Sequence, residues 1–358
     1  MKTVLLVTLH SQNNNFGSVI QGHSLYSYVK NLGYDVSVLD YRPNYSNGAT
    51  DFKSRIKRFA ANMLFLPQFL IRNRRFSEFI SMEKLTSRYT TYQELKDINM
   101  KYDIFLIGSD QVWNSEHNCG KDPAYYLEFT QSSAKIAYAA SLGRYIKDEN
   151  VIETLITNIS KFRSISLREN RSVVQLTAHG MANVQYVLDP VFLFDVNHYR
   201  IMQVDCKESG YILAYIIHSD PLIAQVIKEI ARKLNKKVIQ IGGLAAKCKY
   251  DKYRRDAGPR EFLSLVDNAD FVVTSSFHGT AFSLIYEKPF AVVMPHSNTL
   301  RLENILETAG LTNRVVNTMD DITRMLEPVD YSDASKKIAA MRQISQKYLT
   351  KALDDGIV

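Results

Sequence analysis

The chain has 358 residues, of which 46% are hydrophobic and 23% charged, so it has ordinary globular composition and a length that suits two domains. Its net charge of +7 favours anionic partners, such as phosphorylated metabolites or a membrane surface. The basic residues are not interleaved with aromatic residues in any recognisable nucleic-acid-binding module, which argues against a nucleic-acid partner. Three widely separated cysteines argue against a disulfide framework or a zinc site and favour a cytoplasmic location: Cys119, Cys206 and Cys248.

The first half of the chain alternates strand and helix patterns. Residues 4–9 form a predicted strand rather than a signal peptide, because Thr8 interrupts a short apolar run. A helix is predicted over 18–32, where Gly33 supplies the left-handed residue that ends many helices, and a strand follows over 35–40. Such a βαβ opening implies a parallel sheet. Further strands are predicted at 102–107, 136–140 and 165–167, and the segment 186–190 closes this half.

A second alternation follows, with strands at 211–217, 237–241, 271–274 and 290–294 and helices at 221–234, 260–267 and 280–286. The pattern predicts an α/β fold with two Rossmann-like parallel-sheet domains that face a cleft. We divide the chain into an N-terminal domain (1–200), a C-terminal domain (201–330) and a C-terminal helix within 331–358. Ligands of such sheets bind beyond the carboxyl ends of the strands, so the loops there are the place to look for chemistry.

The segment 53–75 is basic and apolar. It contains seven arginines and lysines and no acidic residue, and an apolar run occupies 63–71. Basic flanks around an apolar centre suit a peripheral contact with an anionic membrane at its inner face. The alternative is a pair of surface helices that dock on the core, since Pro67 interrupts a continuous helix.

The run Val272–Thr280 (VVTSSFHGT) is the strongest local signal for a site. A β-branched strand ends in Ser275 and Ser276, and His278 and Gly279 then lead into a helix. A histidine at a helix N-terminus can bind a phosphate or carboxylate or transfer a proton. A structural histidine in a turn is the alternative.

Polar turns follow two strands of the first half. Asn15 and Gly17 precede the first helix in a turn that is neither a dinucleotide fingerprint nor a Walker A loop. After the strand 102–107, Asp110 is a candidate base or sugar ligand, with Asn114 beside it. Trp113, the only tryptophan, could stack on a pyranose or could anchor the core.

Three arginines at element ends are candidate anion ligands, because a guanidinium matches carboxylate and phosphate geometry. Arg168 directly follows the strand 165–167, Arg260 begins a helix after Gly258-Pro259, and Arg301 begins another helix. Each could instead be a solvated surface charge.

In this order, these segments resemble the polysaccharide pyruvyl transferase family. The resemblance spans roughly residues 5 to 315 and rests on an ordered set of short matches. They are Asn15, Gly17 and Gln21, the segment 108–114 (GSDQVWN), 139–143 (AASLG), 166–169 (SLRE), 188–190 (LDP), 276–280 (SFHGT) and 288–290 (KPF).

The resemblance implies a fold similar to GT-B glycosyltransferases and a transferase that moves the pyruvyl group of phosphoenolpyruvate onto a sugar. It implies a saccharide acceptor in a capsule or other bacterial surface polysaccharide or its lipid-linked precursor, with galactose as a 4,6-ketal expected. His278 matches a donor-binding histidine of the family, and Arg168 an arginine of the first domain expected to contact the donor. Many members carry an arginine where this chain has Ser276, so another cation such as Arg301 is expected to replace it.

Ketal formation needs cations for a carboxylate and a phosphate, a proton donor, and a base for hydroxyl groups. Arginines would supply the first, His278 the first or second, and Asp110 the third. Neither a metal nor a cofactor is expected, and phosphoenolpyruvate acts as co-substrate. Two alternatives stay open: a GT-B glycosyltransferase using a nucleotide sugar, suggested by Glu287-Lys288-Pro289, and a non-catalytic, membrane-associated scaffold of polysaccharide assembly using 53–75.

Overall fold

The structure is a computed structural model that describes residues 1–9, 14–45, 65–98, 101–217, 220–242, 248–297 and 299–354. The part of the basic-apolar segment that covers 53–64 lies outside these ranges. The strands are β1 Thr3–Val7, β2 Asp35–Val38, β3 Ile104–Ile107, β4 Lys135–Ala140, β5 Ser164–Leu167, β6 Val184–Tyr186, β7 Tyr211–Ile216, β8 Lys237–Gly242, β9 Lys252–Tyr253, β10 Phe271–Thr274 and β11 Phe290–Val292.

The described helices are α1 Phe16–Asn31, α2 Leu66–Ile80, α3 Glu149–Ile159, α4 Asn170–Ala178, α5 Val196–Met202, α6 Pro221–Leu234, α7 Pro259–Asp267, α8 Phe277–Ile285, α9 Leu300–Ala309, α10 Ile322–Met325 and α11 Ser332–Asp354. Short 3₁₀ turns occur at Gln93–Ile98, Cys119–Lys121, Pro123–Tyr126, Pro190–Phe192, Thr312–Arg314 and Met319–Asp321. None of the helices in the described ranges is long and apolar enough to cross a membrane.

Two parallel sheets confirm the predicted fold class. The first has the order β2-β1-β3-β4-β5-β6 and the second the order β11-β10-β7-β8-β9, and every neighbouring pair is parallel. Strands β1 to β5 of the first sheet are largely buried because both faces are covered, which explains their continuous apolar runs, whereas the edge strand β6 is partly exposed. The first sheet ends at Tyr186 and the second begins at Tyr211, while the exact domain division stays a prediction.

Helices α3 to α5 were not predicted, whereas α2 overlaps the pair of surface helices that was the alternative for 53–75. Helix α2 begins at Leu66 with Pro67 in its first turn, where proline is tolerated because the missing N–H has no partner there anyway. The predicted strand over 290–294 is shorter, and the helix predicted to begin at residue 280 begins at Phe277. The earlier start places His278 inside the first turn of α8 rather than before it.

The two halves share a hydrophobic cluster beneath the cleft. Phe16 of α1 stacks on Phe262 of α7, with ring centroids 5.1 Å apart, and meets Tyr215 of β7 edge-on at 5.8 Å. Helix α11 joins the halves from the other side. Its first turns bury Ala334 and Ile338 in this shared cluster, whereas its last turns pack against the first sheet. The two halves that border the cleft are therefore joined by the shared cluster and by helix α11.

Candidate functional site

A cleft lies beyond the carboxyl ends of the strands and has two lobes. The larger, about 460 Å³, is lined chiefly by the first half of the chain, and the smaller, about 230 Å³, also contacts the turn after β10 and the start of α9. Four residues line both lobes: Asn15, Asp110, Gln111 and His117. Two ligands bound in the two lobes would therefore meet at these side chains.

Asp110 is held at the boundary between the lobes by a strained loop. It follows β3 by three residues and has a φ of +75°, a conformation that costs energy for any residue other than glycine but that aspartate tolerates best. Ser18 donates to its Oδ2 at 2.5 Å, and the amide of Gln111 donates to Oδ1 at 2.9 Å. A register shift in β4 lets Ala140 form a bridge with Asp110, which fixes the loop to the sheet.

Arg168 lies at the end of β5, behind Asp110 and Phe277 of the small lobe, and is 2% exposed. Its Nη1 donates to Oδ2 of Asp189, a carboxylate that also accepts from Ser109 Oγ at 3.1 Å. Its Nη2 lies 3.8 Å from Oδ1 of Asp110, and its Nε 3.7 Å from Oε1 of Glu169. Both of these distances exceed hydrogen-bond length, so Nε and Nη2 have no hydrogen-bond partner among the described residues.

His278 enters the cleft from the second half. Ser276 is the N-cap of α8, and its side chain accepts from the amide of Gly279 at 3.4 Å. The imidazole is 6% exposed, and its Nε2 lies 3.9 Å from Asp189 Oδ2 without a hydrogen-bond partner in the described chain. Its other nitrogen faces Gly17 so closely that a Cβ at Gly17 would lie 1.9 Å from Nδ1. The absence of a side chain at Gly17 therefore allows the imidazole of His278 to lie against α1.

Arg301 completes the cluster from α9. Its Nη1 lies 3.8 Å from Oδ1 of Asp110, and its buried Nε has no hydrogen-bond partner within the described ranges. The ring of Phe277 lies beneath both guanidinium groups, with the Cζ of Arg168 4.7 Å and that of Arg301 6.0 Å from its centroid. Two buried arginines and one imidazole therefore present unsatisfied N–H or ring nitrogen atoms to the same small space, an arrangement suited to an anion.

Burial sets the protonation of these groups. It lowers the pKa of His278 to about 4, although Asp189 and Asp110 oppose the effect, so the ring is neutral at pH 7. Burial and the neighbouring Arg168 lower the pKa of Arg301 to about 10, which leaves it charged. Burial alone would raise the pKa of Asp110, but Arg168, Arg301 and His278 more than offset this, so that the pKa is lowered and the carboxylate is ionised.

The structure contradicts two expectations for the loop after β3. Trp113 is 1% exposed, donates from Nε1 to the carbonyl of Tyr125 at 2.9 Å and stacks on Tyr126, so it anchors the core and offers no face to a sugar. Asn114 is fully buried, and its amide donates to Gln111 Oε1 at 2.6 Å while its Oδ1 accepts from the amide of Glu116. It shapes the loop and does not face the cleft.

Arg260 is likewise not where the sequence suggested. Its Nε donates to the carbonyl of Met202 at 2.7 Å on the exposed surface, where it closes the end of α5. The preceding Gly258-Pro259 correctly indicated the start of a helix, but the sequence did not show that the side chain of Arg260 lies on the face away from the cleft. Glu287, part of the nucleotide-sugar alternative, accepts from Ser335 Oγ of α11 at 2.6 Å.

The remaining predicted residues shape the cleft. Asn15 is the N-cap of α1, where its Oδ1 accepts from the amide of Gly17 at 2.9 Å, and it lines both lobes. Ser276 lines the small lobe. A Cβ at Gly279 would lie 2.2 Å from Thr274 Oγ1, so this glycine allows α8 to pack against β10. Its role is packing, since its amide is already bonded to Ser276.

Several residues of the cleft were missed. Asp189 stood in a matched segment, but the pattern Leu-Asp-Pro indicates a strand end and a turn and gives no sign of a buried ion pair with Arg168. Gln111 and His117 belong to the loop after β3, and only the folded loop shows that they border both lobes. Burial lowers the pKa of His117, so this ring is neutral at pH 7. Within the described ranges, no group of three or more histidine, cysteine, aspartate or glutamate residues could hold a metal ion.

Comparison with solved structures relates the fold to nucleotide-sugar enzymes. The UDP-GlcNAc 2-epimerase of Methanocaldococcus jannaschii aligns with a TM-score of 0.57 at 13% identity, covering 95% of this chain and 99% of that one. The epimerase of Neisseria meningitidis aligns with a TM-score of 0.54 at 11% identity, covering 99% and 100%. An α-glucosyltransferase in complex with UDP aligns with a TM-score of 0.51 at 9% identity over the whole of both chains. At these identities the likeness shows the fold alone, which is of the GT-B type.

A search of curated proteins finds no significant match. The family comparison is more informative, since a model described as "Polysaccharide pyruvyl transferase" matches residues 15–297. That range includes every strand except β1, and every residue that lines the small lobe except Arg301 and Leu302 of α9. The chain therefore belongs to the polysaccharide pyruvyl transferase family.

Proposed function

We propose that this protein transfers the pyruvyl group of phosphoenolpyruvate to two hydroxyl groups of one sugar, forming a ketal and releasing phosphate. The proposed acceptor is galactose, as a 4,6-ketal, in a bacterial surface polysaccharide or its lipid-linked precursor. The observation that carries the proposal is the pair of buried guanidinium groups, Arg168 and Arg301, which lie over the ring of Phe277 and have N–H groups without a hydrogen-bond partner in the described chain. Arg301, His278 and Phe277 line the small lobe, and Arg168 lies directly behind them.

The small lobe suits the donor. Phosphoenolpyruvate carries a carboxylate and a phosphate on the same carbon, C2, and two guanidinium groups can each pair with one of them. Arg301 borders the lobe beside Ser276, so it is placed to replace the arginine that many family members carry at that position. Because Asp110 lies 3.8 Å from both arginines and hydrogen-bonds to neither, an entering anion does not have to break a hydrogen bond between them.

His278 is the proposed acid. Burial lowers its pKa to about 4, but an anion bound beside it would favour the imidazolium and raise that pKa. The donor would thus bring the ring into the form that can protonate the methylene carbon. Protonation turns the enol ether into an oxocarbenium-like centre at C2, which Arg168 and Arg301 could hold through the carboxylate and phosphate.

The larger lobe suits the acceptor. It presents amide, hydroxyl and imidazole groups of Asn15, Ser18, Asn118 and His117 to a ligand, and it meets the donor lobe at Asp110. A sugar hydroxyl attacks C2 and gives its proton to Asp110. Phosphate then leaves with the electrons of its C–O bond, and a second hydroxyl of the same sugar attacks C2. His278, neutral since it protonated the methylene carbon, takes the proton of this hydroxyl, which closes the ketal.

The experiment is an assay of phosphate release from phosphoenolpyruvate, with and without a panel of galactosides and N-acetylhexosamines. We expect acceptor-dependent release and a product heavier by one pyruvyl ketal, and we expect Asp110→Asn to abolish release. Turnover by Asp110→Asn close to that of the wild type would exclude the proposed base. Absence of release with every acceptor, together with tight binding of a nucleoside diphosphate in a thermal-shift assay, would favour the glycosyltransferase alternative instead.

A further inference from the structure

The larger lobe contains an aromatic side chain that the proposed chemistry does not use. Tyr45 lines this lobe together with Leu9, and both side chains are partly buried. Most of the other lining residues carry polar groups, among them Asn15, Ser18 and Asn118. A lobe with apolar surface on one part of its wall and several polar groups elsewhere suits a ligand with both C–H groups and hydroxyl groups, as a pyranose has.

The hydroxyl group of Tyr45 is bound to a carboxylate. Tyr45 Oη donates to Oδ2 of Asp122 at 2.7 Å, and Tyr41 Oη donates to the same oxygen at 3.0 Å. Asp122 is itself held in place, because it is the N-cap of the 3₁₀ turn Pro123–Tyr126 and its Oδ1 accepts from the amide of Ala124 at 2.9 Å. The hydroxyl group of Tyr45 is therefore occupied and its ring is held in one orientation, so the ring is the part that this side chain offers to a ligand.

The surroundings of Tyr45 suit binding rather than proton transfer. Burial and the hydrogen bond to Asp122 raise the pKa of Tyr45, so its hydroxyl group keeps its proton at pH 7. Tyr41 differs in its location, since it is 6% exposed, belongs to the core of the first half and packs on Tyr125 with ring centroids 6.2 Å apart. The two tyrosines thus bind the same carboxylate, but Tyr41 serves the core and Tyr45 borders the lobe.

We propose that Tyr45 is the aromatic platform on which the acceptor sugar stacks, the role that the buried Trp113 does not fill. In galactose, the C–H groups at C3, C4 and C5 lie on the face of the pyranose opposite the axial O4, and an apolar face of this kind packs on an aromatic ring. Stacking of that face leaves O4 directed away from the ring and able to attack the donor. The inference rests on the proposed function, because it takes a sugar as the ligand of the larger lobe.

Steady-state kinetics of two Tyr45 variants test this role. Tyr45→Leu removes the ring, and it should raise KM for a methyl galactoside by about tenfold, the scale of one aromatic contact, while kcat and KM for phosphoenolpyruvate stay nearly unchanged. Tyr45→Phe keeps the ring and loses only the hydrogen bond to Asp122, so its KM for the galactoside should be close to that of the wild type. A general loss of structure would instead change all three constants in both variants.

Tyr41→Phe is the matched control. It removes a hydrogen bond to the same oxygen of Asp122 from a ring that lines neither lobe, so KM for the galactoside should not change. Thermal unfolding verifies that all three variants are folded.

Sugar binding without phosphoenolpyruvate separates this inference from the proposed reaction. Saturation-transfer NMR with the panel of galactosides and N-acetylhexosamines should show contact between the wild type and a sugar, and a much weaker signal with Tyr45→Leu. If the wild type binds a sugar but releases no phosphate, the proposed chemistry fails and the stacking role is still decided by the binding data. Three results would overturn the stacking role: a wild type that binds none of the sugars, equal binding by Tyr45→Leu, or an equal loss in Tyr41→Phe.

Discussion

Two loops meet across the cleft, one after β3 and one after β10, and they use their side chains differently. After β3, Trp113 and Asn114 turn inward to hold the loop, and Asp110 reaches the cleft together with Gln111 and His117. After β10, Ser276 and Gly279 close the turn of α8 while His278 enters the cleft. In both loops, some residues that the sequence marked as candidate ligands, such as Asn114 and Gly279, instead hold the loop in shape.

The difference has a physical origin. The turn after β10 leads directly into a helix, so an N-cap and a glycine suffice to fix it and the imidazole is free to face the ligand. The loop after β3 has no regular element until the 3₁₀ turn at Cys119–Lys121, and its backbone is held partly by its own side chains. Asp110 and Gln111 therefore both fix the loop and line the cleft, whereas Asn114 only fixes the loop.

The largest expected effect contrasts the two loops directly. His278→Gln should lower kcat by about 10²- to 10⁴-fold, the usual contribution of a positioned acid, with little loss of stability. Trp113→Phe should do the reverse, lowering the unfolding free energy by about 1–3 kcal/mol because a buried indole loses its contacts and its hydrogen bond, while kcat changes little. Phosphate-release kinetics and urea unfolding measure both. Equal loss of turnover in the two variants would contradict this division of roles.

A smaller effect is expected at Gly17 of α1, which contacts the ring of His278. In Gly17→Ala the new Cβ would lie 1.9 Å from His278 Nδ1, so the imidazole or α1 must shift. Misplacement of a reacting group by about 1 Å can cost on the order of 10²-fold in rate, and we expect a loss of that size in kcat. Gly180→Ala is the control for backbone strain without a contact to the cleft: nothing lies within 4 Å of its Cβ position, it lines neither lobe, and its φ of +91° strains an alanine. It should lower stability and leave kcat unchanged. Normal turnover in Gly17→Ala would show that the ring position is not critical.

The smallest expected effect concerns pH. The pKa of His278 falls from 6.5 in the unfolded chain to about 4 in the folded protein, so the unfolded chain binds more protons between these values. The unfolding free energy should therefore rise with pH from about 4 to 6.5, and the rise should be smaller in His278→Gln. Urea unfolding at several pH values measures it. Because burial also lowers the pKa of His198 to about 4, the difference between wild type and variant is the relevant quantity. Identical slopes would mean that the buried ring titrates normally.

The sequence determined much of the fold. Strands β1, β3, β7 and β10 are apolar runs followed by polar turns, and this local pattern predicts both the parallel sheets and the strand ends at which ligands bind. It also pointed to Asp110, Arg168, His278 and Arg301, which the structure brings together. These residues follow strands or begin helices, and in a parallel sheet such positions all lie at the edge formed by the carboxyl ends of the strands.

Tertiary structure alone decided which way the other candidates face. Arg260 and Arg301 both begin helices, yet one caps a surface turn and the other is buried in the cleft. The sequence allows Trp113 either to stack on a sugar or to anchor the core, and only its contacts with Tyr125 and Tyr126 show that it anchors the core. The pairing of Arg168 with Asp189 joins residues from two strand ends, and no local pattern records such a contact. Helix periodicity and strand endings are local properties, whereas burial and pairing depend on which elements pack together.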